Sequence, residues 1–168
     1  MRHATTVLTG LDGTSIPPRP GPRPHVRPGT PHQQLDQLAP PPLQEALWSR
    51  MVALPYVRAG GSVISLPDTR ALHLAPAVAR GPREAFAPDG GTEFAHLHGV
   101  ADGSLHMNLP PATAAAAIAA GWAEWHPVVI WGWVPRTLVM IYGPRDPGEV
   151  DIVFDFVRLS HAFASGSA

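Results

Sequence analysis

Histidine titrates closer to neutral pH than any other side chain and is the commonest protein ligand for transition metals. This chain has nine, and three of them fall within eleven residues of the stretch EFAHLHGVADGSLHMNLPP, which runs from Glu93 to Pro111. Side chains alternate along a strand, so His96 and His98 share a face. A turn centred on Val100–Asp102 sets His98 opposite Ser104 and His96 opposite His106. Directly opposed Cβ atoms lie about 5 Å apart and same-face neighbours along a strand about 7 Å. In that register three imidazoles converge. Three neutral imidazoles make a metal-ligand set that leaves a position open for water or substrate. Without a metal, the same rings serve as acid–base groups or pack with each N–H satisfied locally. A one-residue slip sends His106 to the opposite face. Metal centre, catalytic pocket and structural hairpin all stand open at this point.

A second concentration lies in GWAEWHPVVIWGWVP, which gathers Trp122, Trp125, His126, Trp131 and Trp133. Such rings line an apolar cavity or stack on a ligand, and equally cap a sheet or cover its edge. His73, in a neighbouring strand, adds a further imidazole. Arg145, in YGPRD, can clamp an anion or pair with Asp146 or Glu149. Ser104 beside the histidines raises a Ser–His pair with Asp102 as orienter. A triad in a hairpin tip is awkward, because the base must sit between the other two groups. The run GGTEFAHLH resembles the start of the first cupin metal motif, with Gly90 six residues before His96. The glutamate and the second motif that cupins add are absent, and a cupin-like metal protein is kept only as an alternative. No nucleophile elbow, phosphate-binding glycine loop or HExxH is present.

The totals narrow the function classes. A chain of 168 residues, 45% apolar and with five Trp, supports one packed domain. Net charge is −1 and no basic stripe runs along any element, which argues against nucleic acid as a partner. There is no cysteine, which excludes disulfides, thiolate catalysis and Cys-type zinc sites. All twelve basic residues are arginine, which excludes Schiff-base chemistry. No apolar run reaches the roughly 18 residues of a membrane span, and the N-terminal TTVLTGL is too short and polar for a secretory segment. A cytoplasmic protein without a membrane partner is the expectation.

Positioning the histidines falls to the following elements. Residues 1–39, with SIPPRPGPRPHVRPGTP, are too poor in apolar side chains to offset their ordering entropy and read as a disordered Pro/Arg-rich arm. Residues 40–168 read as a single domain. Leu43, Leu47, Met51 and Leu54 repeat at helical spacing after Pro42, and Pro55 ends the helix. GGSVISL, ALHLA, TEFAHLH, GSLHMNL and TLVMIYG are short strand-like runs. PATAAAAIAAG is a helix with Pro111 at its start and Gly121 past its end. DPGEVDIVFDFVRLSHAF is the best-marked helix, with Asp146 as cap, Pro147 first and Glu149 in capping-box position. Hairpin-like links join most strands. The fold class is therefore α+β, a mainly antiparallel sheet of about five strands with helices packed on one face.

A wider pattern joins these pieces. Glu93, His96, His98, the DGSLH ending in His106, the LPP entering the Ala-rich helix, Gly121–Trp122, His126, and YGPRD before the last helix together resemble a family of small bacterial and fungal proteins called luciferase-domain proteins. The similarity covers about residues 40–163, and the family's function is largely undefined. After His98 this chain has Gly99 where the family more often has Pro. The resemblance implies that His96, His98, His106 and His126 share one functional surface. It also points to oxidation of a small organic molecule, as in an oxygenase.

The candidate catalytic residues are thus His96, His98, His106 and His126. Glu93, Ser104, Trp122, Trp125, Tyr142 and Arg145 are candidates for contact with a small-molecule ligand. His96, His98 and His106 are the candidate ligands of a divalent metal, the one cofactor the residues suggest. A non-catalytic binding module with a Trp/His pocket, and an interaction protein recruiting a partner through its tail, are the competing classes.

Overall fold

The computed structural model describes Thr6–Val7, residues 15–89 and residues 91–168. The rest of the expected arm up to residue 14, and Gly90 of the cupin-like run, lie outside the described residues. A two-stranded ribbon pairs β1 (Thr6–Val7) with β2 (Ser15–Ile16). The main sheet holds β3 (Val57–Gly61), β4 (Arg70–Leu74), β5 (Glu93–Leu97), β6 (Leu105–Asn108), β7 (Ala123–Trp125) and β8 (Leu138–Ile141). Its strand order is β3-β4-β5-β6-β8-β7, with every pairing antiparallel. The helices are α1 (Pro41–Val52), α2 (Pro111–Ala119), the single turn α3 (Pro127–Ile130) and α4 (Pro147–Ser165).

The class is the expected α+β, with six strands in place of five. The first strand lies earlier than GGSVISL suggested, at Val57–Gly61, so Ser62–Leu66 is left as a loop beside the sheet. β7 and α3 come from the Trp-rich stretch, where three strand residues and one turn are too short to show a period. Six antiparallel strands in one sheet also set the molecule apart from a cupin, which folds two sheets into a jelly roll.

Register sorts side chains into two faces. Leu72, Ala95, Met107 and Val139 form one row across the sheet, and Leu97, Leu105 and Ile141 another. These rows bury against Leu47 and Met51 of α1 and Val153, Phe156 and Val157 of α4. Asp146 caps α4, its carboxylate accepting from Glu149 N at 2.9 Å, and Gly166 closes it at φ +73°. Glu149 reaches one residue beyond the capping-box position and accepts from Arg145 N at 2.8 Å. On the opposite face, Ala71, His96, His106, Met140 and Glu124 share a row.

That second face is covered by residues 15–39, and here the structure departs from the expected disordered arm. Trp122 Nε1 donates to Pro17 O at 2.7 Å, Arg23 donates to Ala123 O at 2.7 Å, and Gly143 N donates to Gln34 Oε1 at 2.9 Å. Arg19 lies over the Tyr142 ring at 5.4 Å. The segment also pairs with itself, through Arg27 N to Gln33 O and Leu35 N to His25 O, both at 2.9 Å. Composition predicts too little apolar burial to order this stretch. Its anchors are hydrogen bonds to sheet and loop backbone instead, which composition does not display.

Candidate histidine centre

The hairpin forms in the register that the turn length requires. His96 pairs with His106, and His98 N donates to Ser104 O at 3.0 Å. Gly99 O accepts from Asp102 N and Gly103 N, closing the tip. Gly103 has φ +73°, and a Cβ there would sit 2.6 Å from Gln44 Nε2, so both conformation and space demand glycine. A shift of register at Leu72/His73 pairs Glu93 with His73 while Ala95 pairs with Leu72, leaving Phe94 as the extra residue. Strict alternation would put Glu93 and His96 on opposite faces. The bulge returns Glu93 to the histidine side, where its carboxylate meets His96 Nδ1 at 2.7 Å.

Five imidazoles gather on this face. His96 Nε2 and His98 Nε2 each lie 3.1 Å from His106 Nδ1. His106 Nε2 lies 3.0 Å from His32 Nδ1, and His32 Nε2 lies 2.9 Å from Glu124 Oε1. His126 stands edge-on to His106 at 4.6 Å and to His32 at 5.1 Å. Its Nδ1 accepts from Val128 N at 3.2 Å as the cap of α3.

The partners assign the protons. An ionised carboxylate only accepts, so the nitrogen facing it carries hydrogen. Burial raises the Glu93 carboxyl, but hydrogen bonds from His96, Ser62 and Val63 outweigh it and leave it below the ordinary value. Asp102 is buried too, yet His98 and Ser104 hold it low; Glu124 is held low by His32 and Tyr142. His96 and His98 therefore carry hydrogen on Nδ1, and in the neutral rings each Nε2 is a bare lone pair. His32 carries hydrogen on Nε2, which leaves its Nδ1 bare to accept from His106 Nε2. With its hydrogen on Nε2, His106 has a bare Nδ1 as well. Burial, and then its imidazole neighbours, drive His106 well below the usual histidine range, and burial lowers His96 despite the pull of Glu93. In that tautomer three lone pairs face one another with no hydrogen between them. Nitrogens bound to one tetrahedral ion at roughly 2.0–2.1 Å lie about 3.3 Å apart, close to the 3.1 Å that separates His106 Nδ1 from each of the other two, and one ring nitrogen of each of the three lies within 4.8 Å of the others. The outward nitrogens of His96 and His98 rest on carboxylates, the arrangement that orients metal-bound imidazoles.

A second group, His32, His106 and His126, also brings one ring nitrogen of each within 4.8 Å of the others. Its proton pattern differs. His106 Nε2 donates to His32, and His126, accepting at Nδ1, carries its hydrogen on Nε2 in the neutral ring. This group offers donors where the first offers lone pairs. Burial, with His32, His96 and His98 nearby, lowers His126 to about 3.

Above the rings lies a cavity of about 530 Å³. His32, His96, His98, His106 and His126 line it, with Pro31, Ile64, Leu66, Pro88, Val128 and Leu138 as apolar walls. Asp89 is its one charged side chain among the described residues, and no arginine reaches it.

The remaining candidates fall elsewhere. Glu93 is fully buried beneath His96 and also accepts from Ser62 Oγ. Ser104 Oγ donates to Asp102 at 2.6 Å and lies 3.0 Å from His98 Nδ1, the same nitrogen that meets Asp102, so serine and acid share one side of the base instead of flanking it and the order of a nucleophilic triad is lost. Trp122 packs in the core 6.5 Å from Phe156, and Trp125 packs against the same core with Arg136 over its ring. No tryptophan lines the cavity among the described residues, and Trp131 and Trp133 are exposed. Tyr142 is buried, donating to Glu124 at 2.8 Å; burial above all raises its phenol to about 12. Arg145 pairs with Glu149 and holds Pro20 O and Gln37 on the covering segment, away from the cavity. His73 binds Gly61 O at the sheet edge.

Sequence reasoning missed His32 and Glu124. His32 lies among prolines and its contact partner is 74 residues away. Glu124 becomes visible only once Ala123–Trp125 is assigned as a strand and alternation places it on the histidine face.

Residues 91–160 match the family model described as Luciferase domain. The resemblance read from the sequence holds over that stretch, which contains His96, His98, His106 and His126 but not His32. No curated protein matches the chain, and no solved structure does. Among the described residues no helix is long and apolar enough to cross a membrane.

Proposed function

We propose that His96, His98 and His106 hold a divalent metal at the floor of the cavity, and that the protein acts there on a small, neutral, largely apolar organic molecule. The observation that carries this reading is the convergence of three ring nitrogens on imidazoles whose other nitrogens are engaged by Glu93, Asp102 and His32. A cation between them turns mutual repulsion of lone pairs into bonding. Three protein ligands leave coordination positions facing the cavity, where water, dioxygen or a substrate oxygen can bind. The walls supply apolar contact, and the volume suits a molecule of ordinary ligand size. With no Arg in the wall among the described residues, an anionic substrate gains little. His126 presents an N–H donor beside the open side. The oxygenase class is one form of this reading: His96, His98 and His106 would hold a redox-active metal, which would supply the oxidative chemistry with dioxygen as co-reactant.

Metal analysis of protein purified without a polyhistidine tag tests the reading, followed by cobalt(II) titration of the metal-free protein. One equivalent of metal and a tetrahedral or five-coordinate cobalt spectrum are expected. A protein that takes up no ion, and instead carries an organic ligand visible by native mass spectrometry, would favour a non-catalytic binding module.

A further inference from the structure

The segment that covers the sheet brings one side chain into the site whose effect reaches the metal position without touching it. We propose that His32 is a positioning residue: by accepting from His106 Nε2, it fixes His106 in the tautomer whose Nδ1 faces His96 and His98 as a lone pair. The consequence for metal affinity rests on the metal reading above; the tautomer assignment does not.

His106 is buried, and its Nε2 has His32 Nδ1 at 3.0 Å as its one hydrogen-bond partner among the described residues. Its Nδ1 has two imidazole nitrogens at 3.1 Å. A neutral imidazole has one hydrogen to place. On Nδ1 it serves His96 and His98 as acceptors and blocks the centre. On Nε2 it serves His32 and leaves the centre open. Each arrangement leaves bare nitrogens facing one another, Nε2 against His32 Nδ1 in the first and three lone pairs at the centre in the second, so His106 alone does not choose. His32 tips the choice, because Glu124 obliges it to hold its own hydrogen on Nε2 and its Nδ1 can then only accept, whereas His96 and His98, held the same way by Glu93 and Asp102, would have to share the one hydrogen on Nδ1. Tyr142 O–H donates to the second Glu124 oxygen at 2.8 Å, which fixes the carboxylate. The chain of command runs from Tyr142 through Glu124 and His32 to His106.

The backbone around His32 is built to hold this aim. Val26 bridges Gln34 in antiparallel fashion, and Arg27 N donates to Gln33 O. Gln34 ties the same ribbon to Gly143 N, just past β8. The His32 and His106 rings lie within 9° of parallel. A loop crossing the site for coverage alone needs no imidazole at this point. A ring with one obliged donor and one bare acceptor, set between a carboxylate and a metal-ligand candidate, is what tautomer selection needs.

Two substitutions separate this role from packing. Leu in place of His32 removes the acceptor, while Gln keeps a carbonyl for His106 and an amide donor for Glu124. Ring ¹⁵N chemical shifts of His106, read in chelator-treated protein, report the tautomer directly. Wild type is expected to show hydrogen on Nε2, His32→Leu to move it to Nδ1, and His32→Gln to keep it on Nε2. Cobalt affinity should fall roughly 10–100-fold in His32→Leu, the usual effect of losing an outer-sphere partner, and return to within a few-fold of wild type in His32→Gln. A His106 signal that stays on Nε2 in folded His32→Leu overturns the proposal, as does hydrogen on Nδ1 in wild type. If His32→Leu does not fold, His32→Gln and Glu124→Gln carry the test. Glu124→Gln offers His32 a donor as well as an acceptor, and is expected to mix the His106 tautomers; an unmixed Nε2–H signal there then overturns the proposal. Wild type with the expected tautomer but no bound metal would remove the metal reading and leave the positioning role standing.

Discussion

The two faces of the sheet are covered by different means. One is a mosaic of Leu, Val, Met and Phe sealed by α1 and α4, with Leu47, Met51, Val153 and Val157 all fully buried. The other carries His96, His106, Glu124 and, through the bulge, Glu93, and is sealed by a proline-rich segment that contributes His32 and Gln34. On the helix face stability comes from area removed from water, which is non-directional and tolerant of small shifts. On the histidine face each buried polar atom needs a particular partner, so a single loss strands another group. The difference teaches that one face is built for stability and the other for a defined set of lone pairs.

Acid should separate the faces most strongly, because it acts on every group of the polar face at once. His96, His106 and His126 are held below their ordinary value, so the unfolded chain binds more protons as pH falls below about 6.5, and stability drops from there. For His126 the loss continues to about pH 3. Glu93, Asp102 and Glu124, also held low, add to it: their contribution is full above the ordinary carboxylate range and is lost as pH falls through their folded values. Denaturant midpoints measured from pH 7.5 to 4 should fall steadily below about pH 6.5. A flat profile would show that the polar face is not coupled to folding.

Phe156→Ala should come next, costing roughly 3–5 kcal/mol in denaturant titration while leaving cobalt affinity within a few-fold of wild type. Loss of metal binding in this variant would mean that the faces are not independent. His106→Ala should do the reverse. It removes the proposed shared ligand, and cobalt affinity should fall by more than the roughly 100-fold upper range for an outer partner. Glu93→Gln and Asp102→Asn, which keep shape but remove the acceptor that fixes each imidazole, should each weaken cobalt by about 10–100-fold. Equal affinity in both would show that carboxylate support is incidental. The smallest effect belongs to Asp146→Ala. Loss of the α4 cap should cost about 1 kcal/mol by denaturant titration at unchanged cobalt affinity.

Much of the helix face was legible in sequence because its signals are local. The Asp146–Pro147–Glu149 start of α4 and the Leu47–Met51 spacing of α1 each depend on neighbours within one or two turns. The hairpin was legible for the same reason. A turn centred on Val100–Asp102 sets which residues oppose, and His96 meets His106 as that centre implies. The Trp-lined pocket was not borne out, since Trp122 and Trp125 belong to the core and the cavity walls are Ile64, Leu66, Val128 and prolines. An aromatic side chain announces burial, not which cavity it faces.

By itself, then, the sequence determined the α+β class, the capped final helix and the pairing of His96 with His106, all set by periodicity, capping chemistry and turn length. Only the tertiary structure decided that Glu93 supports His96, because a bulge overrides strand alternation. It alone decided that His32 and Glu124 complete the centre. Their contacts span 74 and 92 residues, and no local pattern encodes a hydrogen bond whose two ends are brought together only by the path of the chain across the sheet.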